Sequence, residues 1–153
     1  MSIEIKHKFK REELKGRYKR AWSKTVDDLI DLIFQRSQEL ISAGPINEGN
    51  LLGSGTNWRP DELTGFVGYT APYAKCVEFG TAPHFPPPDA IREWARLKLG
   101  LRGKELERAT KAICWKIYHY GTEPQPFLRP AVEMARHDMT KLYIKHLAKE
   151  GLT

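Results

Sequence analysis

A helical pattern runs through the first third of the chain without a proline. Its apolar residues recur at three- and four-residue steps, which predicts an α-helix from about Glu12 to Ser42 that Gly44 and Pro45 end. The residues of this pattern are Tyr18, Trp22, Val26, Leu29, Ile30, Ile33, Leu40 and Ile41. Such a helix would be about 45 Å long. The rest of the chain has to pack along it, and part of its surface is available to a neighbouring subunit.

Two shorter patterns on either side of this helix predict strands. Before it, Ile3, Ile5 and Phe9 alternate with lysines, which predicts a strand over 2–9 with one basic face. After it, the turn-rich region 44–65 leaves room for strands at about 51–58 and 63–69, with a hairpin loop at 59–61 between them. We therefore expect a small antiparallel sheet.

Four further helices are predicted at 72–79, 89–99, 104–120 and 129–149, separated by glycines and by extended proline segments at 83–88 and 124–126. The inward stripe of the third comprises Leu106, Ala109, Ile113, Ile117 and Tyr120. The inward stripe of the fourth comprises Val132, Ala135, Met139, Leu142, His146 and Leu147. Together these elements predict a helix-rich α+β fold, and the absence of a linker-like stretch predicts a single domain over residues 1–153.

The chain's net charge of +6 is confined to one end. Residues 1–24 hold nine basic and three acidic side chains, whereas 25–153 hold equal numbers of both. The candidates for contact with nucleic acid or an acidic partner are Lys6, Lys8, Lys10, Arg11, Lys15, Arg17, Lys19 and Arg20. The alternative is a solvated basic face with no partner.

No apolar stretch approaches the roughly 18 residues that would cross a bilayer. The start of the chain also lacks the apolar core of a signal peptide. We therefore expect the chain to fold in a cytoplasm, without a membrane partner.

The side chains that usually carry catalysis show no recognisable spacing. The five histidines include no pair four residues apart, and no phosphate-binding loop or nucleophile motif is present. His84 with Glu78 and Asp89 is the one acid–base or metal cluster that can be drawn, and it is the weakest hypothesis. We expect no enzymatic activity, no metal and no cofactor.

One five-residue step, aromatic-Gly-Thr-x-Pro, occurs twice. It spans 79–83 as Phe-Gly-Thr-Ala-Pro and 120–124 as Tyr-Gly-Thr-Glu-Pro, each time after a predicted helix. We expect the aromatic residue to pack into the core, and the glycine to adopt the left-handed conformation that ends the helix. The threonine can then bond to local backbone, and the proline keeps the exit extended.

The residues around these steps carry a resemblance. Residues 73–81, Tyr-Ala-Lys-Cys-Val-Glu-Phe-Gly-Thr, and residues 124–131, Pro-Gln-Pro-Phe-Leu-Arg-Pro-Ala, resemble two signatures of a bacteriophage tail-component family. Residues 47–54, Asn-Glu-Gly-Asn-Leu-Leu-Gly-Ser, are similar to its Thr-Gly-Asn-Leu loop, with Glu48 where threonine is usual. The motifs follow the family's order, and its members are described as minor tail, tail-completion or head–tail joining proteins.

The resemblance implies assembly rather than chemistry. It implies a structural virion protein of the neck that forms a ring, expected to be a hexamer, and contacts the tail-tube protein and the head-closure connector, with genomic DNA passing through. The motif and interface candidates are Asn50, Leu51, Ser54, Tyr73, Glu78, Phe79, Gly80, Thr81, Pro126, Phe127, Arg129 and Pro130. Glu78 and Arg129 are candidates for an ion pair. Phe127 either anchors the closing helix or is an ordinary core residue.

Overall fold

The computed structural model describes residues 10–44 and 49–152. Its elements, in chain order, are α1 (Arg11–Ala43), α2 (Gly49–Gly53), β1 (Gly55–Trp58), β2 (Phe66–Tyr69), α3 (Ala74–Phe79), α4 (Pro88–Lys98), α5 (Gly103–Tyr120) and α6 (Leu128–Lys149). The predicted α+β class, with a long N-terminal helix and a small antiparallel sheet, is confirmed. The strand predicted over 2–9 lies outside the described residues.

The internal contacts of the chain divide into two compact units. One comprises Met1–Ala71 with Phe127–Thr153, and the other comprises Pro72–Pro126. The first unit contains α1, the hairpin and α6, and the second contains α3, α4 and α5. The single domain over 1–153 stays a prediction.

The first unit is built on α1 and α6, which run antiparallel. Arg36 of α1 pairs with Asp138 at 2.8 Å, and Asp28, two turns earlier, contacts His146, two turns later, at 2.9 Å. The fully buried residues of both helices are small, including Ala21, Thr25, Ala131 and Ala135. Small side chains allow the two backbones to approach closely along much of their length.

The inward face of α6 differs from the predicted one. Ala135 and His146 are buried as expected, but Val132 and Met139 are 43% and 38% exposed, and Ala131 takes the inward position instead. Ala131, Ala135 and His146 are separated by four and eleven residues, and both steps return to the same helix face. The prediction favoured larger apolar side chains, whereas the close contact with α1 selects alanine.

Strands β1 and β2 form a two-stranded antiparallel hairpin that packs on α1. The register pairs Gly55 with Tyr69 and Trp58 with Phe66. Gly55 belongs to the inner face, where an added Cβ would lie 2.8 Å from the Phe34 ring. The inner face also places the Tyr69 hydroxyl 2.6 Å from Ser37 Oγ. The strand residues on this side therefore hold the hairpin against α1.

The outer face of the hairpin carries two stacked aromatic rings. The ring centroids of Trp58 and Phe66 are 5.0 Å apart with 15° between their planes, and the side chains are 49% and 45% exposed. We call Trp58 and Phe66 the hairpin aromatic pair. The outer face of a small sheet is normally polar, so this exposed pair is unusual.

The predicted first strand was too long at its start. Residues 49–53 form the short helix α2 instead, and only Gly55–Trp58 is extended. Leu51 is completely buried, and the side-chain amide of Gln38 donates to the Leu52 carbonyl at 3.1 Å. Two leucines between glycines are compatible with either a helix or a strand, and here the contacts with α1 favour the helix.

In the second unit, α4 packs on α5. The Arg92 guanidinium bridges the two helices, lying 2.8 Å from Asp89 of its own helix and 3.0 Å from Glu107 of α5. Ala95 of α4 and Leu106 of α5 are buried. No helix among the described residues is long and apolar enough to cross a membrane.

Candidate subunit interface

The two copies of the aromatic-Gly-Thr-x-Pro step lie side by side. Thr81 and Thr122 form an antiparallel β-bridge in which each backbone N–H donates to the other's carbonyl, at 3.1 and 3.2 Å. The two threonine hydroxyls are 3.0 Å apart. The two copies of the step are therefore paired in the structure. Their bridge joins the two ends of the segment that contains α4 and α5.

Both glycines of the step have positive φ, but they are not in the expected left-handed helical conformation. Gly80 has φ 69° and ψ −175°, and Gly121 has φ 71° and ψ −156°. This region is essentially restricted to glycine. An added Cβ would lie 2.4 Å from the Thr122 oxygen at Gly80 and 1.9 Å from the Thr81 oxygen at Gly121. Each glycine thus makes room for the other copy's backbone.

The aromatic residues of the two steps do not pack into the core as predicted. Phe79 is 59% exposed and Tyr120 is 79% exposed. The helices α3 and α5 end in these residues, and the extended ψ of the following glycine turns the chain toward the paired threonines. The bridge, rather than the aromatic ring, fixes each helix end.

Tyr120 belongs to a larger group of exposed rings. We call this group the α5 aromatic surface: Phe85, Trp115, Tyr118, His119 and Tyr120. Trp115 stacks on His119 with centroids 5.2 Å apart, and Tyr118 contacts both Trp115 and Phe85 edge-on, at 5.7 and 6.4 Å. Contiguous exposed apolar surface of this kind marks interaction sites in soluble proteins.

The exposure of these rings is large for aromatic side chains. Phe85 is 63% exposed, Trp115 60% and Tyr118 48%. Lys111 and Lys116 are also exposed on the same half of α5, and residues 111–120 include no acidic residue. The α5 aromatic surface is therefore apolar with a basic margin. Tryptophan and tyrosine are the residues that most often dominate binding energy at protein interfaces.

The loop motif of the resemblance serves as the joint between α2 and the hairpin. Ser54 Oγ donates to the Leu51 carbonyl at 2.8 Å, and the Ser54 carbonyl accepts from the Thr70 N–H at 3.0 Å. Leu51 is buried, whereas Asn50 is exposed. Of these three candidates, only Asn50 is in the exposed class and could contact a partner.

The remaining motif candidates divide between buried and exposed positions. Glu78 is 5% exposed, Tyr73, Pro126 and Pro130 are half-buried, and Arg129 is exposed. Phe127 is 4% exposed and meets the Tyr69 ring edge-on at 4.9 Å, directly before α6 begins. Phe127 is thus a core residue at the start of the closing helix. The Glu78–Arg129 ion pair stays a prediction.

Most of the candidate basic residues on α1 have acidic partners within the fold. Arg20 and Lys24 each contact Glu150 at 3.1 Å, and Arg17 donates to the Glu150 carbonyl. The hydrogen bond from Lys24, together with Arg20, lowers the pKa of the Glu150 carboxyl. These side chains attach the end of α6 to α1.

Two more basic candidates are paired elsewhere. Lys19 contacts Glu62 of the hairpin loop at 2.5 Å, and Lys15 contacts Glu12 at 2.9 Å. Lys10 and Arg11 are exposed at the start of α1, whereas Lys6 and Lys8 lie outside the described residues. The structure therefore does not present residues 10–24 as one free basic patch.

The residues of the hydrolase hypothesis are not brought together as a metal site. The described residues contain no group of three histidine, cysteine or acidic side chains that could hold a metal ion. His84 Nδ1 lies 3.0 Å from the Ala82 carbonyl, and Asp89 pairs with Arg92. The contacts of both side chains are local and structural.

No family model, curated protein or solved structure matches this chain.

The α5 aromatic surface was not predicted, although part of its signal is in the sequence. Trp115, Tyr118 and His119 follow the three- and four-residue steps of one helix face, beside the predicted inward stripe. A second aromatic stripe on a helix is usually assigned to the core. Only the packing of α4 on α5 reveals that this stripe is on the outside.

Proposed function

We propose that this chain is a non-enzymatic structural subunit of a long-tailed bacteriophage. In this role it completes the tail and joins it to the head connector by self-association into a ring. The ordered motifs around residues 47–54, 73–81 and 124–131 motivate the family, as a resemblance. The structural observation that supports an assembly role is the α5 aromatic surface. It is a connected row of exposed rings in which Tyr120 joins the others through His119, and contact with a protein partner would remove these rings from water.

Particle composition tests this proposal directly. Tailed particles from the source that encodes the chain would be purified through a density gradient and analysed by quantitative mass spectrometry. We expect the chain in intact particles at a few copies per tail, at a constant ratio to the tail-tube protein. Its absence from particles that contain the tail-tube protein would refute the proposal.

Native mass spectrometry and negative-stain imaging test the ring. The chain would be imaged and weighed alone and with its tail-tube partner. A ring of discrete stoichiometry under either condition is the expected result. A chain that stays monomeric in both, at concentrations up to those found in an assembling cell, contradicts the ring.

Nucleic-acid binding is the second candidate, favoured by the charge of residues 1–24. Its contacts would come from Lys6, Lys8, Lys10 and Arg11, since Lys15, Lys19 and Arg20 have acidic partners and Arg17 donates to the Glu150 carbonyl. Binding through phosphate contacts weakens steeply with salt, because bound counterions are released. Deletion of residues 1–11 should abolish salt-sensitive DNA binding, and unchanged binding after the deletion excludes this candidate.

A further inference from the structure

A closed ring of identical subunits needs two different surfaces on each subunit. One surface of each copy meets the other surface of the next copy, and the rotation between copies closes the ring. A single self-complementary surface would instead produce a dimer. The ring proposal therefore requires a second exposed surface that is complementary to the α5 aromatic surface.

The hairpin aromatic pair has the required apolar character. Trp58 and Phe66 project from the outer face of the hairpin, and Leu63 in the connecting loop is also 46% exposed. The Trp58 ring lies over Gly68, where an added Cβ would be 3.6 Å from it. Glycine at this position leaves the two rings as a flat apolar platform, which suits stacking against other aromatic rings.

The charges around the two surfaces are of opposite sign. Lys111 and Lys116 flank the α5 aromatic surface without an acidic neighbour in residues 111–120. The hairpin loop carries Asp61 and Glu62. Complementary charges at the margin of an interface favour encounter and select the register.

Part of this acidic charge is not neutralised within the chain. Glu62 pairs with Lys19 and Asp27 pairs with Arg59, but Asp61 forms no salt bridge with another described residue. The backbone N–H of Leu63 donates to the Asp61 carboxylate at 2.7 Å, and this bond holds the pKa of Asp61 below its usual range. The Asp61 carboxylate is therefore available to a lysine from outside.

We propose that the α5 aromatic surface of one copy binds the hairpin aromatic pair of a second copy, head to tail. This inference rests on the proposed ring. The partner is a second copy of this chain, recognised by aromatic stacking and by Lys111 and Lys116 facing the acidic hairpin loop.

The exposed area sets the expected strength. Four half-exposed aromatic side chains offer roughly 400 Å² of surface, against about 800 Å² per partner in a standard interface. A single contact of this size is weak, but a closed ring contains one such contact for each subunit. The isolated chain should therefore associate in the micromolar to millimolar range and dissociate on dilution.

Two interface variants and a mixing experiment test the contact. The α5 variant carries Trp115→Ala and Tyr118→Ala, and the hairpin variant carries Trp58→Ser and Phe66→Ser. Tyr18→Ala, which removes a 46% exposed ring of α1 outside both surfaces, is the matched control. Circular dichroism and thermal unfolding verify that each variant is folded.

Sedimentation velocity then measures association over a concentration series. We expect the wild type and Tyr18→Ala to associate equally, and each interface variant to lose at least tenfold in association constant. An equimolar mixture of the two variants should form a 1:1 heterodimer and nothing larger. Each variant retains one intact surface, so one contact can form and a second cannot.

Three results would overturn the inference. They are self-association of either variant at the wild-type level, a mixture that stays monomeric, and a wild type that stays monomeric at 1 mM. Loss of oligonucleotide binding in the α5 variant with unchanged self-association would also overturn it, and would assign the surface to nucleic acid. Particle composition is measured separately, so failure of this contact and failure of the virion role are distinguishable.

Discussion

At the scale of single residues, Gly80 and Gly121 exclude a side chain for two separate reasons. Each combines a positive φ with a neighbouring backbone oxygen in the space that a side chain would occupy. Gly100 and Gly103 also have positive φ, but nothing lies within 4 Å of a Cβ at either position. The energetic cost of the backbone conformation and the cost of the close backbone contact can therefore be measured separately.

Gly121→Ala should be strongly destabilising. An alanine Cβ would be 1.9 Å from the Thr81 oxygen, so the bridge has to open in addition to the cost of the backbone conformation. We expect a loss of about 3 kcal/mol or more in unfolding free energy, measured by urea denaturation. Gly100→Ala is the control and should cost about 1 kcal/mol. Equal costs for the two variants would show that the threonine bridge contributes nothing.

Leu51 and Ser54 test the loop motif at the same scale. Leu51 is the largest completely buried side chain among the described residues, so Leu51→Ala should cost about 3 kcal/mol through lost burial and a cavity. Ser54→Ala removes one hydrogen bond and should cost about 1 kcal/mol. Chemical denaturation measures both. A larger effect at Ser54 than at Leu51 would contradict a packing role for this motif.

At the scale of elements, the joint between α1 and α6 is held by carboxylates at three levels. Asp138 receives the Arg36 guanidinium, and Glu150 receives Arg20 and Lys24. Asp28 contacts His146 Nε2 at 2.9 Å and Lys145 at 3.5 Å. Partial burial alone would raise the pKa of Asp28, but the hydrogen bond and charge of His146 outweigh it, and the pKa is lowered. The hydrogen bond from Arg36 likewise lowers the pKa of Asp138.

These pKa shifts predict acid sensitivity of the α1–α6 pair. A carboxyl whose pKa is lower in the folded chain stabilises the fold fully above its unfolded value, about 4. This stabilisation is lost as the pH falls through the lower, folded value. The melting temperature should therefore stay constant down to about pH 5. It should fall steadily below pH 4, as these carboxylates are protonated.

A triple variant isolates the three carboxylates. Asp28→Asn with Asp138→Asn and Glu150→Gln should melt lower than the wild type at pH 7, and its melting temperature should depend less on pH between 5 and 3. Calorimetry across this range makes the comparison. Parallel curves for the two proteins would mean that other groups determine the acid response.

The helices were predictable because their apolar periods and their glycine and proline stops agree. α5 begins at Gly103 and ends at Tyr120, against a prediction of 104–120. α2 and the inward face of α6 were not predictable, because contacts with α1 decide both. The exposed aromatic rings were missed for a related reason: Phe85 and Tyr118 are 33 positions apart in sequence, and only the fold brings their rings together.

At the scale of the whole molecule, the basic charge of residues 1–24 has two parts. Arg17, Arg20 and Lys24 hold the end of α6, so their positive charge serves the fold. Lys10 and Arg11 are exposed at the first turn of α1. Net charge alone could not distinguish these parts, because a paired and an unpaired lysine are identical in sequence.

This division predicts separate effects on stability and on DNA binding. Arg20→Ala with Lys24→Ala should lower the melting temperature and leave the salt dependence of any DNA binding unchanged. Lys6→Ala with Lys8→Ala and Lys10→Ala should keep the melting temperature and reduce the slope of log affinity against log salt by about 0.9 for each phosphate that the protein no longer neutralises. Fluorescence anisotropy measures the slopes. A reduced slope in the first variant would contradict the pairing with Glu150.

The pairing of α1 with α6 also has a consequence for synthesis. About a hundred residues separate these partners, and a ribosome needs on the order of ten seconds to produce them. During this time the side of α1 that packs on α6 has no native partner, whereas the contacts within the segment Pro72–Pro126 join residues that are already synthesised. A chain truncated before α6 leaves Asp28 and Arg36 of α1 without His146 and Asp138. The native packing of α1 is therefore complete only after translation has passed through α6.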